Sequence, residues 1–118
     1  MTELTLGQKQ RLFTKLVARL IDHAYEHGYE LTFGEAYRTP EQAKLNSANG
    51  SGIVNSLHIS RLAIDLNLFR DGRFLTTSDD HRPLGAFWKT LHPNCAWGGD
   101  FRPRPDGNHY SLSHNGIK

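Results

Sequence analysis

The sequence predicts a small single-domain α+β protein, an antiparallel sheet with flanking helices. Three observations carry this. The chain has 118 residues, the size of one domain with one modest core. Apolar residues recur at helical spacing near the N-terminus and again after residue 78. The remaining apolar runs are short, alternate or end at turn residues, and show no regular strand-helix-strand rhythm.

Thr5-x-x-Gln8 has the form of a capping box, in which hydroxyl and amide satisfy each other's free backbone N–H. Leu12, Phe13, Leu16, Val17, Leu20, Ile21 and Ala24 follow on one helical face, so the first helix ends near Gly28 and closes one side of the core. Residues 29–33 alternate as a strand, and residues 34–38 are expected to continue it towards Thr39-Pro40. Pro40 suits the first turn of a short helix reaching about Leu45 and carrying Gln42. Residues 46–52 form a polar, glycine-rich loop, either a plain connector or the border of a substrate cleft.

Residues 61–69 read as a strand with Leu62, Ile64, Leu66 and Leu68 on one face. Asp71-Gly72 is a hairpin turn, and residues 73–75 return as its partner. Ser78 is the expected cap of a helix over 79–91, with Leu84, Phe87, Trp88 and Leu91 on its apolar side and Pro93 beyond its end. Residues 96–101 are strand-like and interrupted by glycines. Residues 102–106 are a stiff, proline-rich loop, and residues 108–112 are the last strand.

Composition narrows the function. A net charge of +2 is too small to indicate a nucleic-acid partner. No apolar run approaches the ~20 residues of a membrane helix, and the first residues lack the apolar centre of a signal peptide. The expectation is a protein made in the cytoplasm without membrane insertion. Cys95 is the one cysteine, which excludes an internal disulfide and a cysteine-rich zinc site. It reads as a small buried hydrophobe.

The chemistry concentrates in two segments. His58 and Asp65 lie seven residues apart, and Asp106 precedes His109 by three. His58, Asp65 and His109 are two imidazoles and a carboxylate, a set that suits a catalytic zinc with one open position. Zinc acidifies water, from about 15.7 towards about 7, and polarises a carbonyl. Extended chain over seven residues spans more than ~20 Å. Convergence of His58 and Asp65 therefore needs a bend, and Ser60-Arg61 is its expected place. Asp106 is the candidate general base, taking a proton from water and passing it to a leaving amine. The planar fork of Arg38 suits a developing oxyanion or a substrate carboxylate, and Gln42, four residues on, suits the same wall. Any of these residues taken singly also reads as an ordinary surface or hydrogen-bonding group.

Ser56-x-His58, Ala63-x-Asp65, Trp97-Gly98-Gly99 and Asp106-x-x-His109 stand in order, preceded by Tyr37-Arg38-Thr39-x-x-Gln42. This set resembles the zinc D,D-peptidase and Hedgehog-type family, and within it the small L-alanyl-D-glutamate endopeptidases of bacteriophages. The resemblance spans roughly residues 8–115. It implies a Hedgehog/D,D-peptidase-like fold, zinc on His58, Asp65 and His109, Asp106 as catalytic base and Arg38 as transition-state stabiliser. Ser56, Gln42, Trp97 and Tyr110 are the candidate substrate-binding residues, although Trp97 also reads as core and Tyr110 as packing beneath the site. The pattern departs at Arg61, where many relatives carry glycine. The aspartate base matches the phage endopeptidases, where several carboxypeptidases use glutamate.

The expectation is thus a zinc peptidase cutting the peptidoglycan stem peptide at L-Ala–D-Glu, an endolysin of a phage or prophage, acting as a monomer. It would reach the wall after release by a holin. The alternatives are a D-Ala-D-Ala carboxypeptidase or dipeptidase and a non-catalytic wall-binding module. His23-Ala24-Tyr25-Glu26-His27 also matches the H-x-x-E-H pattern of another zinc-protease class. Packed or solvated histidines are the better reading there. His81, His92 and His114 read as ordinary polar residues, and Arg102 and Arg104 as a small basic loop.

Overall fold

The computed structural model describes residues 3–48 and 56–118. Helix α1 (Leu6–Glu26) starts at the expected capping box: Thr5 Oγ1 accepts from Gln8 N–H, and the Gln8 side chain accepts from Thr5 N–H. Its stripe of Phe13, Leu16, Val17, Leu20 and Ala24 is buried. Strand β1 (Glu30–Phe33) follows, then α2 (Pro40–Ala48), β2 (Ala63–Arg70), β3 (Arg73–Leu75), α3 (Ser78–Leu91), β4 (Cys95–Trp97) and β5 (His109–Leu112). All strand pairs are antiparallel, in the order β1-β2-β5-β4, with β3 also on β2.

Strand β2 is the spine. Leu62, Leu66 and Leu68 are fully buried and Ile64 nearly so, as period-two alternation requires. Helices α1 and α3 pack together over the sheet, and Phe13 meets Trp88 edge-on at 5.8 Å between ring centroids. Trp88 buries its ring while its Nε1–H donates to the carbonyls of Ala96 (3.0 Å) and Ser111 (3.1 Å), so the indole carries no unpaired polar atom into the core. The hairpin turn places Asp71 at φ 52° and Gly72 at φ 76°, the left-handed pair that a tight two-residue turn needs.

Four expectations are corrected. Residues 34–38 leave the sheet, although Gly34 N–H still donates to the Asp65 carbonyl (2.8 Å) and Asp65 N–H to that of Glu35 (2.9 Å). Helix α2 runs through Asn46 and Ser47 to Ala48, supported by a 2.6 Å bond from Gln42 to Asn46 one turn on and by complete burial of Ala43. The rest of the expected loop, residues 49–52, lies outside the described residues. Thr77, not Ser78, caps α3, because Thr77 and Asp80 form a reciprocal capping box. The strand expected over 96–101 stops at Trp97, where Gly98–Asp100 forms a 3₁₀ turn closed by Phe101 N–H on the Gly98 carbonyl (3.0 Å).

Candidate metal centre and cleft

The bend between His58 and Asp65 lies where the sequence requires it. Residues 57–61 form a tight turn, with Leu62 N–H returning to the Leu57 carbonyl at 3.0 Å. Arg61 adopts φ 56°, the left-handed region that favours glycine, and its guanidinium lies 3.9 Å from the Tyr37 ring centroid. The turn carries the His58 side chain back over β2. Asp65 and His109 are direct cross-strand partners in the β2–β5 pair, so the register itself brings the other two together.

The three groups converge on one carboxylate oxygen. Asp65 Oδ1 lies 3.3 Å from His58 Nε2 and 3.4 Å from His109 Nδ1. It is buried with no hydrogen-bond partner. Such an atom is costly unless a cation satisfies it. A tetrahedral zinc with ligand bonds of ~2.0–2.1 Å has donor–donor edges of about 3.3–3.4 Å. The two distances to Asp65 match that edge, so the residues fit zinc. Among the described residues this is the one His/Cys/Asp/Glu group placed to hold a metal. The other ring nitrogen of His58 lies 3.4 Å from the Ala36 carbonyl, which favours a proton there and turns the Nε2 lone pair to the centre.

Electrostatics agree. Burial opposes the charge on Asp65, but the two imidazoles facing it, His109 and His58, outweigh that and hold the carboxyl at about 2. Burial also works against charging His58, yet the facing carboxylate of Asp65, aided by the Ala36 carbonyl and Glu35, raises its pKa. Asp106 moves the opposite way: partial desolvation, then the negative charge of Asp65, push its carboxyl above the usual range.

A cleft of about 1070 Å³ opens over these residues, lined by Arg38, Ser56, His58, Asp65, Asp106 and His109 and continuing along Phe101 and Arg104. It has room for several residues of peptide. Arg38 reaches it paired with Glu35, whose Oε1 accepts from both Nε (3.0 Å) and Nη2 and lies 3.7 Å from His58 Nδ1. Glu35 escaped the sequence reading; its spacing of three from Arg38 is the signal that was there. Ser56 is at the cleft, and its Oγ accepts from His58 N–H (3.1 Å).

Two of the proposed substrate contacts lie away from the cleft. Tyr110 is 0% exposed and belongs to the core. Gln42 is exposed on α2, bonded to Asn46 and away from the cleft lining. Trp97 borders the cleft with its ring packed into the core, 1% exposed. It also holds the loop before His109, donating from Nε1 to the Gly107 carbonyl at 2.7 Å. Gly98 lets that loop close: a Cβ there would lie 2.0 Å from the Asp106 carbonyl oxygen.

The remaining candidates are accounted for. His23 stacks on Phe87 at 3.7 Å, His27 at 4.0 Å from it turns Nδ1 to the His23 carbonyl, and neither joins a metal cluster. His81, read as an ordinary polar residue, is instead 2% exposed and bonded to the Tyr110 hydroxyl at 2.9 Å. Burial pushes the Cys95 thiol up to about 12, which leaves it no nucleophile.

A family model described as D-alanyl-D-alanine carboxypeptidase, of the M15 peptidases, matches residues 49–112, more than half the chain. Among solved structures, the Serratia marcescens L-Ala D-Glu endopeptidase ChiX is similar, with a TM-score of 0.69 and 21% identity over 85% of this chain and 79% of that one. The vancomycin-resistance D,D-pentapeptidase VanY, from a VanB-type resistance cassette and in complex with Zn(II), gives 0.58 and 19% over 85% and 70%. No curated protein sequence matches.

Proposed function

The chain belongs to the M15 family of zinc peptidases, and on that premise we propose that it hydrolyses the stem peptide of peptidoglycan at the L-Ala–D-Glu bond, as a phage or prophage endolysin. The observation that carries the reading is the buried, unpartnered Asp65 Oδ1 facing His58 Nε2 and His109 Nδ1 at tetrahedral-edge distances. These three atoms would hold zinc, which when bound acidifies water and polarises the scissile carbonyl. Asp106 accepts the proton that water loses on attacking the carbonyl carbon. It returns that proton to the amine as the C–N bond breaks, leaving a free amine and a carboxylic acid that gives up its proton to solvent. A pKa raised above the usual carboxylate range suits a group that must act first as base and then as acid. Arg38, oriented by Glu35, offers positive charge to the carbonyl oxygen as it becomes anionic.

The fold likeness to ChiX and the aspartate at position 106 support the endopeptidase reading. The family description and the fold likeness to VanY favour a second one, removal of D-Ala from the stem's end. Among the described residues no helix is long and apolar enough to cross a membrane. Passage to the wall through a holin-type opening is part of the same proposal.

Asp106→Ala separates chemistry from metal binding. The variant is expected to take up one zinc per chain and lose at least ~100-fold of its activity on purified sacculi. Full activity in that variant would remove Asp106 from the reaction.

A further inference from the structure

We propose that the first turn of α3 is a bracket that positions the base and the third metal ligand, with Ser78 and His81 as its two grips. The inference rests on the peptidase reading of Asp106 and His109. Three residues apart on a helix, Ser78 and His81 share a face. That face meets the chain on both sides of His109. Ser78 Oγ accepts the Gly107 N–H at 3.0 Å, and His81 Nδ1 bonds the Tyr110 hydroxyl at 2.9 Å.

Gly107 is gripped twice, since its carbonyl accepts from Trp97 Nε1 at 2.7 Å. Its approach to α3 is so close that a Cβ would lie 2.4 Å from Ser78 Cα. On the other side of the base, Asp106 N–H donates to the Gly98 carbonyl at 2.8 Å, and the Asp106 carbonyl accepts His109 N–H at 3.1 Å. The Asp106 carboxylate itself makes no hydrogen bond or ion pair among the described residues. Its position is therefore inherited from its backbone, and the backbone is held by these grips.

Two features separate this from ordinary packing. Thr77 already caps α3, so the Ser78 hydroxyl is surplus to the helix and free for Gly107. His81 and Tyr110 are both almost wholly buried polar groups, a costly choice that an apolar pair would avoid; each supplies the other's partner and fixes where β5 meets α3.

The test uses the full-length, zinc-loaded protein. Ser78→Ala is expected to keep one zinc and an unchanged KM on sacculi while kcat falls about tenfold, because small misplacement of a catalytic group is expensive. Ser78→Thr, which restores the hydroxyl, is expected to recover most of kcat. Amide exchange at Gly107 should quicken in Ser78→Ala, and His81→Gln should lower kcat in the same way. Wild-type kcat in Ser78→Ala, or a loss of kcat that Ser78→Thr does not recover, overturns the bracket. If the wild type leaves sacculi intact, the peptidase reading fails on its own. Gly107 exchange then still decides the bracket, and unchanged protection in Ser78→Ala overturns it.

Discussion

Arg61 and His81 are two residues whose conformation and surroundings matter more than their type. Arg61 stands in the left-handed region at the turn that joins His58 to Asp65, with its guanidinium on Tyr37. Glycine would adopt that backbone more easily, but it would forfeit the stacking. The position was readable as a bend; the contact that lets arginine occupy it was not, because Tyr37 is 24 residues away in the chain. His81 is held neutral by burial, its pKa lowered from 6.5 to about 4 against a small opposing effect of Asp80. A lowered folded pKa means the unfolded chain takes up a proton first. Stability from this residue is thus constant above pH 6.5 and falls as the pH drops towards 4, by up to about 3 kcal/mol. Urea unfolding of the wild type and His81→Gln at pH 7 and 4.5 checks this: the wild type should lose its advantage at the lower pH. An advantage that grows on acidification would show the histidine is charged in the fold.

The elements supply the convergence. The cross-strand register of β2 and β5 places Asp65 opposite His109, while the turn at 57–61 returns His58 to them. Neither pairing could be read from spacing alone, since a one-residue slip would turn Asp65 or His109 to the other face. The motif order was legible because His58 and His109 lie at element boundaries marked by polar and glycine residues, while Asp65 is the one acidic residue in an apolar strand. Ser78 and Glu35 were not, because their partners lie across the fold or their local charge pairing is commonplace. At the 3₁₀ turn, Gly98→Ala puts a methyl where the Asp106 carbonyl now sits, 2.0 Å from the built Cβ. A backbone neighbour cannot rotate away. The variant is expected to lose more than ~10-fold activity and ~1–3 kcal/mol of stability, measured by sacculus turbidity and thermal unfolding.

The whole molecule is a scaffold of helices over one antiparallel sheet, with the cleft at the end where β2, β5 and the 101–106 loop meet. The fold class was legible from periodicity; the length of α2 was not, because its apolar pattern is weak and one buried alanine anchors it. Metal binding couples the site to this scaffold. Zinc at about 1,000 times its dissociation constant should stabilise the folded chain by roughly 4 kcal/mol, so a chelator should lower the melting temperature by many degrees as activity disappears, with zinc restoring both. Restoration of the melting temperature without activity would separate the metal from the chemistry.

The central claim concerns one bond. Muropeptides from sacculi digested by the zinc-loaded protein, read by mass spectrometry, should contain new peptides beginning at D-Glu, absent with chelator and with Asp106→Ala. Release of D-Ala with the L-Ala–D-Glu bond intact would contradict it.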